Sequence, residues 1–181
     1  MKRNQRDDSF CVQCLCLAIE KLMKQKDFSG ISISELARTA GVSRATFYRN
    51  FSNKEDLLLR RMNLKTEHWI KKDSIAIRDL SQEEFLRFAS QVFQFWYENQ
   101  NFICLMLRQN LDFLLEKATD QNIRELLAAA GKDQSEFRTS FLIGGMNRSL
   151  IGWAKSGCRP KPNQLFMPPN DFIFSEPDCG F

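Results

Sequence analysis

The sequence predicts an all-α protein, with an N-terminal three-helix helix-turn-helix domain followed by a helical-bundle domain. Three observations carry this prediction. Residues 32–58 spell two short helices joined by a glycine turn, then the start of a third helix. Apolar residues recur at i, i+3, i+4 and i+7 over long stretches on both sides of that segment. No glycine or proline interrupts residues 42–130.

The elements follow in order. A first helix is expected over residues 9–26, where Cys11, Leu15, Ala18 and Leu22 share one face. Phe28, Ile31 and Ile33 make a short apolar link. The next helix covers residues 34–39, and Gly41 sits at the sharp turn because glycine adopts positive φ without steric cost. Val42 plugs the turn. Ser43 caps a helix over residues 44–51, on which Phe47 and Phe51 are spaced i, i+4 and face inward. Ser52 with Glu55 three residues on reads as a capping box for a helix that runs past His68. The join between domain 1–62 and domain 63–181 therefore falls inside a helix. Ser81 with Glu84 repeats the capping signature, and Phe85, Phe88, Ala89, Val92, Phe93 and Trp96 follow at helical spacing. Asn99 to Asn101 breaks the pattern. Further helices are expected over 102–117, over 120–130 with Gly131 as the stop, and over 135–156 with Gly157 as the stop. Within the last helix Ser140, Gly144, Ser149 and Gly152 form a flat face suited to close approach of another backbone. Pro160 and Pro162 oppose any resumption of helix, and the segment from Pro168 to Phe181 is expected to be loosely held.

Composition narrows the function. The chain has 181 residues, 43% hydrophobic, enough for a proper core. Nothing approaches 18 consecutive apolar residues, so no transmembrane helix is expected. The polar N-terminus Met-Lys-Arg-Asn-Gln-Arg-Asp-Asp is unlike a signal peptide, and a cytoplasmic location is expected. Net charge is +4, unevenly placed: residues 1–61 hold 12 Lys and Arg against 7 Asp and Glu, and the remainder is slightly acidic. A basic helix-turn-helix half is consistent with phosphate binding, although a solvated basic face has the same signature.

The six cysteines do not make a metal site by spacing. Cys11, Cys14 and Cys16 lie together, but no second pair exists, and His68 is the lone histidine. They read as reduced core or surface residues, with a thiol switch as the alternative. No metal and no cofactor is expected. His68 beside Glu67 has no nucleophile constellation, and the chain has neither a Gly-rich phosphate loop nor a paired-carboxylate signature, so an enzyme is not expected.

The motif Ile33-x-x-Leu36-Ala37-x-x-Ala40-Gly41-Val42-Ser43-x-x-Thr46-Phe47-Tyr48-x-x-Phe51-x-x-Lys54-x-x-Leu57 resembles the TetR/AcrR family of bacterial transcriptional regulators. The likeness covers residues 10 to 62. Gly144-Gly145 before Trp153, then Gly157 and Pro162, resembles a C-terminal subgroup that includes a regulator of dihydroxyacetone kinase genes. The resemblance implies a homodimer on a double-stranded DNA operator. The C-terminal helices would form the dimer interface and, often, a pocket for a small-molecule effector. Ser32 and Ser34 stand where the family commonly has Thr, and Cys14 and Cys16 are unusual in its first helix.

The expected DNA-binding residues are Ser32, Ser34, Ser43, Arg44, Ala45, Thr46, Tyr48, Arg49, Asn50 and Lys54. Arg44 is the best base reader, since a guanidinium grips guanine O6 and N7 with two hydrogen bonds; a phosphate contact is its alternative. Thr46 can offer its hydroxyl to phosphate or its methyl to thymine. Tyr48 occupies a position that touches phosphate in similar proteins, or covers core with its ring. Arg49 and Asn50 suit phosphates. Lys54, in the first turn of its helix, would add an ammonium to free backbone N–H groups as a phosphate clamp. Phe88, Phe95, Trp96, Phe102 and Met106 are candidate effector-pocket liners, although aromatic stripes are more often plain core. The expected function is a sequence-specific repressor on a palindromic operator; the alternative is a co-regulator acting through contacts with a partner regulator.

Overall fold

The computed structural model of the protein describes residues 5–72, 82–129 and 135–165. Every regular element among them is helical: α1 (Gln5–Met23), a 3-10 turn (Phe28–Gly30), α2 (Ile33–Ala40), α3 (Arg44–Asn50), α4 (Lys54–Lys72), α5 (Gln82–Glu98), α6 (Gln100–Arg108), α7 (Asp112–Ala129), α8 (Glu136–Lys155) and α9 (Pro162–Leu165). None is long and apolar enough to cross a membrane.

Helices α1, α2 and α3 form one packed unit. Leu15, Ile19 and Met23 of α1, Leu36 of α2 and Phe47 of α3 are all fully or almost fully buried. Helix α4 leaves this unit and runs unbroken through residues 62 and 63 into the second half, where it packs on α7; α7 packs on α8, α6 on α8 and α5 on α9. Leu57, Leu58 and Met62 share the core cluster with Phe88, Trp96, Ile103, Met106 and Leu114, so one apolar core spans both halves.

Several boundaries differ from the sequence expectation, each for a local reason. The first helix begins at Gln5 and ends at Met23. Ser32, not a later residue, caps α2: its Oγ accepts the Glu35 N–H at 3.2 Å, which leaves Ser34 inside the helix. The cap of α4 lies one residue beyond Ser52. Asn53 Oδ1 accepts the Asp56 N–H at 2.7 Å, and Asp56 Oδ2 accepts the Ser52 N–H at 3.2 Å, so Asp56 takes the part assigned to Glu55.

The expected helix over 102–117 is cut at Asn110, which sits at φ 55. Leu111 N–H reaches Met106 C=O at 3.0 Å and Asn110 N–H reaches Leu107 C=O at 3.1 Å. That pair is a Schellman ending with Asn in the left-handed position usually held by Gly. Leu111 and Met106 are both buried, supplying the apolar contact that accompanies the motif. Beyond the break α7 runs straight through 119 and 120, so 120–130 is not a separate helix. Its Thr119 hydroxyl donates back to Leu115 C=O at 2.8 Å. The Ser81 cap, the Gly131 stop and the segment from Pro168 lie outside the described residues.

Gly157 stops α8 as expected, at φ 81, with Cys158 N–H closing on Trp153 C=O at 3.0 Å. Helix does resume after Pro160, as the single turn α9. Pro162 is its first residue, where a missing N–H costs nothing. Trp153 ties this corner together: its indole N–H donates to Pro160 C=O at 2.8 Å, and its ring meets Phe93 at 5.1 Å. Among the described residues, nothing beyond their own helix backbone and chain neighbours lies within 4 Å of where a Cβ would stand at Gly144, Gly145 and Gly152, so no described helix fills this small-residue face.

Candidate nucleic-acid interface

The turn between α2 and α3 is built by backbone chemistry. Gly41 holds φ 69, and its N–H bonds Arg38 C=O at 3.1 Å while Val42 N–H bonds Ala37 C=O at 2.9 Å. A side chain at that φ is strained, which is why Gly stands there. Half-buried Val42 then packs against the core. Ser43 Oγ accepts the Thr46 N–H at 3.0 Å and lies 3.0 Å from the Thr46 hydroxyl, so both hydroxyls start the helix.

Helix α3 has seven residues, too few to persist by propensity. Phe47, with no solvent exposure, pins it to the core, and Phe51 supports it at a ring separation of 5.7 Å. Pinning that face turns Arg44, Ala45, Tyr48 and Arg49 outward, all exposed. Tyr48 is 54% exposed, its ring edge-on to Phe47 at 5.5 Å. Thr46 and Asn50 are half-buried, and Asn50 Nδ2 donates to Thr46 C=O at 2.8 Å. Ser32 and Ser34 are exposed at the start of α2. Of the ten expected residues, seven are thus exposed, with Ser43 among them, and Thr46 and Asn50 are half-buried.

Lys54 differs from the expectation of a phosphate clamp. Its ammonium donates to Phe28 C=O at 2.7 Å, Ile31 C=O at 2.7 Å and Ser29 C=O at 3.4 Å, and it lies 4.6 Å over the Phe28 ring. All three ammonium donors are engaged, and they lock the 3-10 turn that delivers the chain to α2. Lys54→Met should therefore lower stability by about 2 kcal/mol, since three carbonyls lose a charged donor. Urea unfolding measures that loss, and salt-dependent DNA titration checks that the salt slope stays unchanged. A slope reduced by about one unit would return Lys54 to the phosphates.

A residue that local pattern reading missed couples the halves. Gln109, at the end of α6, accepts Phe28 N–H at 2.8 Å and donates to Met23 C=O at 3.0 Å and Lys26 C=O at 3.2 Å. It thus holds the last carbonyl of α1 and one from the turn that follows it, from more than 80 residues away. Arg61 of α4 pairs with Glu20 of α1, and Lys26 with Glu35 of α2, tying the unit further. The Glu35 carboxyl is held below the usual range chiefly by the Lys26 hydrogen bond.

The expected pocket liners divide. Phe88, Phe95 and Trp96 line an apolar cavity between α4, α5 and α7 of about 30 Å³, room for water rather than a ligand. Phe102 and Met106 do not line it; both are plain core, with Phe102 under the Lys65 ammonium at 5.2 Å. A roomier cleft of about 360 Å³ opens next to it between α4 and the α5–α6 junction, sharing Trp69 and Phe95. The cysteines form no metal cluster among the described residues. Cys16 and Cys158 are buried, and burial pushes both thiols up to about 11; Cys158 also lies against Cys104.

The family model for bacterial regulatory proteins of the tetR family matches residues 17–60, the segment that builds this interface. The helix-turn-helix segment of the chain is thus similar to that family. An uncharacterized HTH-type transcriptional regulator, YxbF of Bacillus subtilis (strain 168), is 42% identical over 40 residues, 22% of this chain and 10% of that protein. The chain thus matches about a tenth of the length of that curated relative. Among solved structures the fatty acid degradation regulator FadR of Bacillus halodurans superposes at TM-score 0.55 with 16% identity, covering 91% of this chain and 93% of its own. The transcriptional regulator FadR of Bacillus subtilis, solved with stearoyl-CoA, superposes at 0.50 with 18% identity, covering 85% and 92%. These likenesses show the all-helical fold over most of the chain. A dihydroxyacetone kinase operon activator reaches only 0.43, too low to carry the C-terminal subgroup. The curated relative and both FadR proteins are named as regulators.

Proposed function

We propose that this chain is a cytoplasmic transcriptional repressor of the TetR family. It binds a palindromic operator as a homodimer through domain 1–62, and domain 63–181 supplies the dimer interface and an effector site. The carrying observation is α3, whose buried Phe47 presents Arg44, Ala45, Tyr48 and Arg49 together to solvent. Such a helix reads the major groove, with Arg44 on a base and Tyr48, Arg49, Asn50, Ser32, Ser34 and Ser43 on or near phosphates. The homodimer reading draws support from α8. Phe137 and Phe141 are 81% and 68% exposed on that helix, and Gly144, Gly145 and Gly152 leave open space beside them. A second copy would cover that apolar face and set two recognition helices about 34–36 Å apart. The effector reading draws support from the cleft behind the interface and from the ligand-bound FadR neighbour of like fold.

Selection of binding sites from random DNA, with light scattering of the complex, tests the function. An enriched palindrome bound by two chains is expected; absence of enrichment would favour the co-regulator role. Arg44→Ala should relax preference at one operator position by about 1–3 kcal/mol while leaving affinity for scrambled DNA nearly unchanged. An equal loss on both DNAs would make Arg44 a phosphate contact.

A further inference from the structure

Helix α4 turns Arg61, Lys65 and His68, at i, i+4 and i+7, toward one cleft. The cleft has two chemically different sides. Trp69 and Phe95, in ring contact at 4.9 Å, make an aromatic wall, and Arg61, Lys65, His68 and Asn99 make a polar end. Its volume of about 360 Å³ suits a small molecule.

The half-buried ammonium of Lys65 is what needs explaining. It has three donors, and its contacts are Asn99 Oδ1 at 3.3 Å and the Phe102 ring at 5.2 Å. Among the described residues no carboxylate comes within ion-pair distance of it. Glu20, the nearest acidic influence, is engaged by Arg61, and Glu98 on the rim accepts the Gln94 side-chain N–H at 2.9 Å. Burial, and next the charge of Arg61, hold the Lys65 pKa below the usual lysine value. A half-buried cation without a counter-ion is costly. An anion entering the cleft would offset that cost.

We propose that this cleft binds a small organic anion with an aromatic body. Its carboxylate or phosphate sits on Lys65 and His68, and its ring lies against Trp69 and Phe95. The proposal rests on the effector reading above and names the ligand class. The same anion competes with Glu20 for Arg61, which places it at a tie between α4 and α1.

The test titrates the full chain by calorimetry with naphthoate, its neutral alcohol naphthylmethanol and the cation naphthylmethylammonium. Naphthoate should bind about tenfold tighter than the alcohol, with the cation weakest, as one charged hydrogen bond predicts. Lys65→Met should erase that preference. Exposed His68, replaced as His68→Leu, should weaken naphthoate alone about threefold, and this variant keeps the test open if Lys65→Met misfolds. Equal binding of acid and alcohol, no binding of any probe at millimolar concentration, or a preference untouched in the folded variants would overturn the site. Operator release separates the two readings. Naphthoate that binds with the stated preference but leaves the operator complex intact upholds the anion site and removes the effector role. Release by the neutral alcohol alone does the reverse.

Discussion

Phe47→Ala should lower the unfolding free energy by about 3–5 kcal/mol and abolish specific DNA binding even where the chain remains folded. Phe47 has no exposed surface and touches both Tyr48 and Phe51. Truncating it removes its transfer energy and leaves a cavity under a seven-residue helix. That helix leans heavily on its caps and this contact, because so short a helix is marginal alone. A domain stability of about 5–15 kcal/mol makes the loss a large fraction of the whole. Urea unfolding measures the energetic part, and operator titration at a temperature where the variant is still helical measures the functional part. Phe47→Leu, which keeps most of the volume, should cost about 1–2 kcal/mol and retain binding. Specific binding by Phe47→Ala at the parent affinity would show that α3 is held by something else.

Gln109→Leu should cost about 2–4 kcal/mol, because it leaves the Phe28 N–H and the Met23 and Lys26 carbonyls without their partner in a half-buried join. Volume is nearly conserved, so packing loss does not confuse the reading. Gln109→Glu separates the donor part from the acceptor part. Its carboxylate still accepts from Phe28 but repels the two carbonyls, so it should also destabilise. Amide hydrogen exchange at Phe28 and across 23–31 locates the effect. Exchange unchanged there in both variants would remove Gln109 as the tie between α6 and the DNA-binding unit.

The DNA-facing half was legible because its signals are local. Gly41 is needed by one backbone angle, Ser43 by one exposed N–H, and Phe47 and Phe51 by a four-residue spacing on one short helix. Each can be read within a window of a few residues, and the structure places each as read. Lys54 lay in the same window and was read for its charge and its place in the first turn. Its position suits a phosphate equally well. What decides its role is the proximity of Phe28 and Ile31 carbonyls, 23 to 26 residues earlier.

The break at Asn110 escaped for a related reason. Apolar periodicity continues across it, and Asn is only an occasional left-handed terminator. The buried Leu111 against Met106 favours the ending here, and that burial exists only once α6 and α7 have packed.

By itself, then, the sequence determined that this is a helical protein with a helix-turn-helix of the TetR kind, and which side chains of α3 face out. Caps, turns and amphipathic faces depend on neighbours along the chain, and chain neighbours are written in order. Only the tertiary structure decided that Lys54 faces carbonyls, that Gln109 joins the two halves, that the room lies beside Lys65 rather than among Phe88 and Trp96, and that no described helix covers the α8 face. Those outcomes depend on which distant groups come within a few ångströms, and burial then makes each partnership, or the lack of one, energetically consequential.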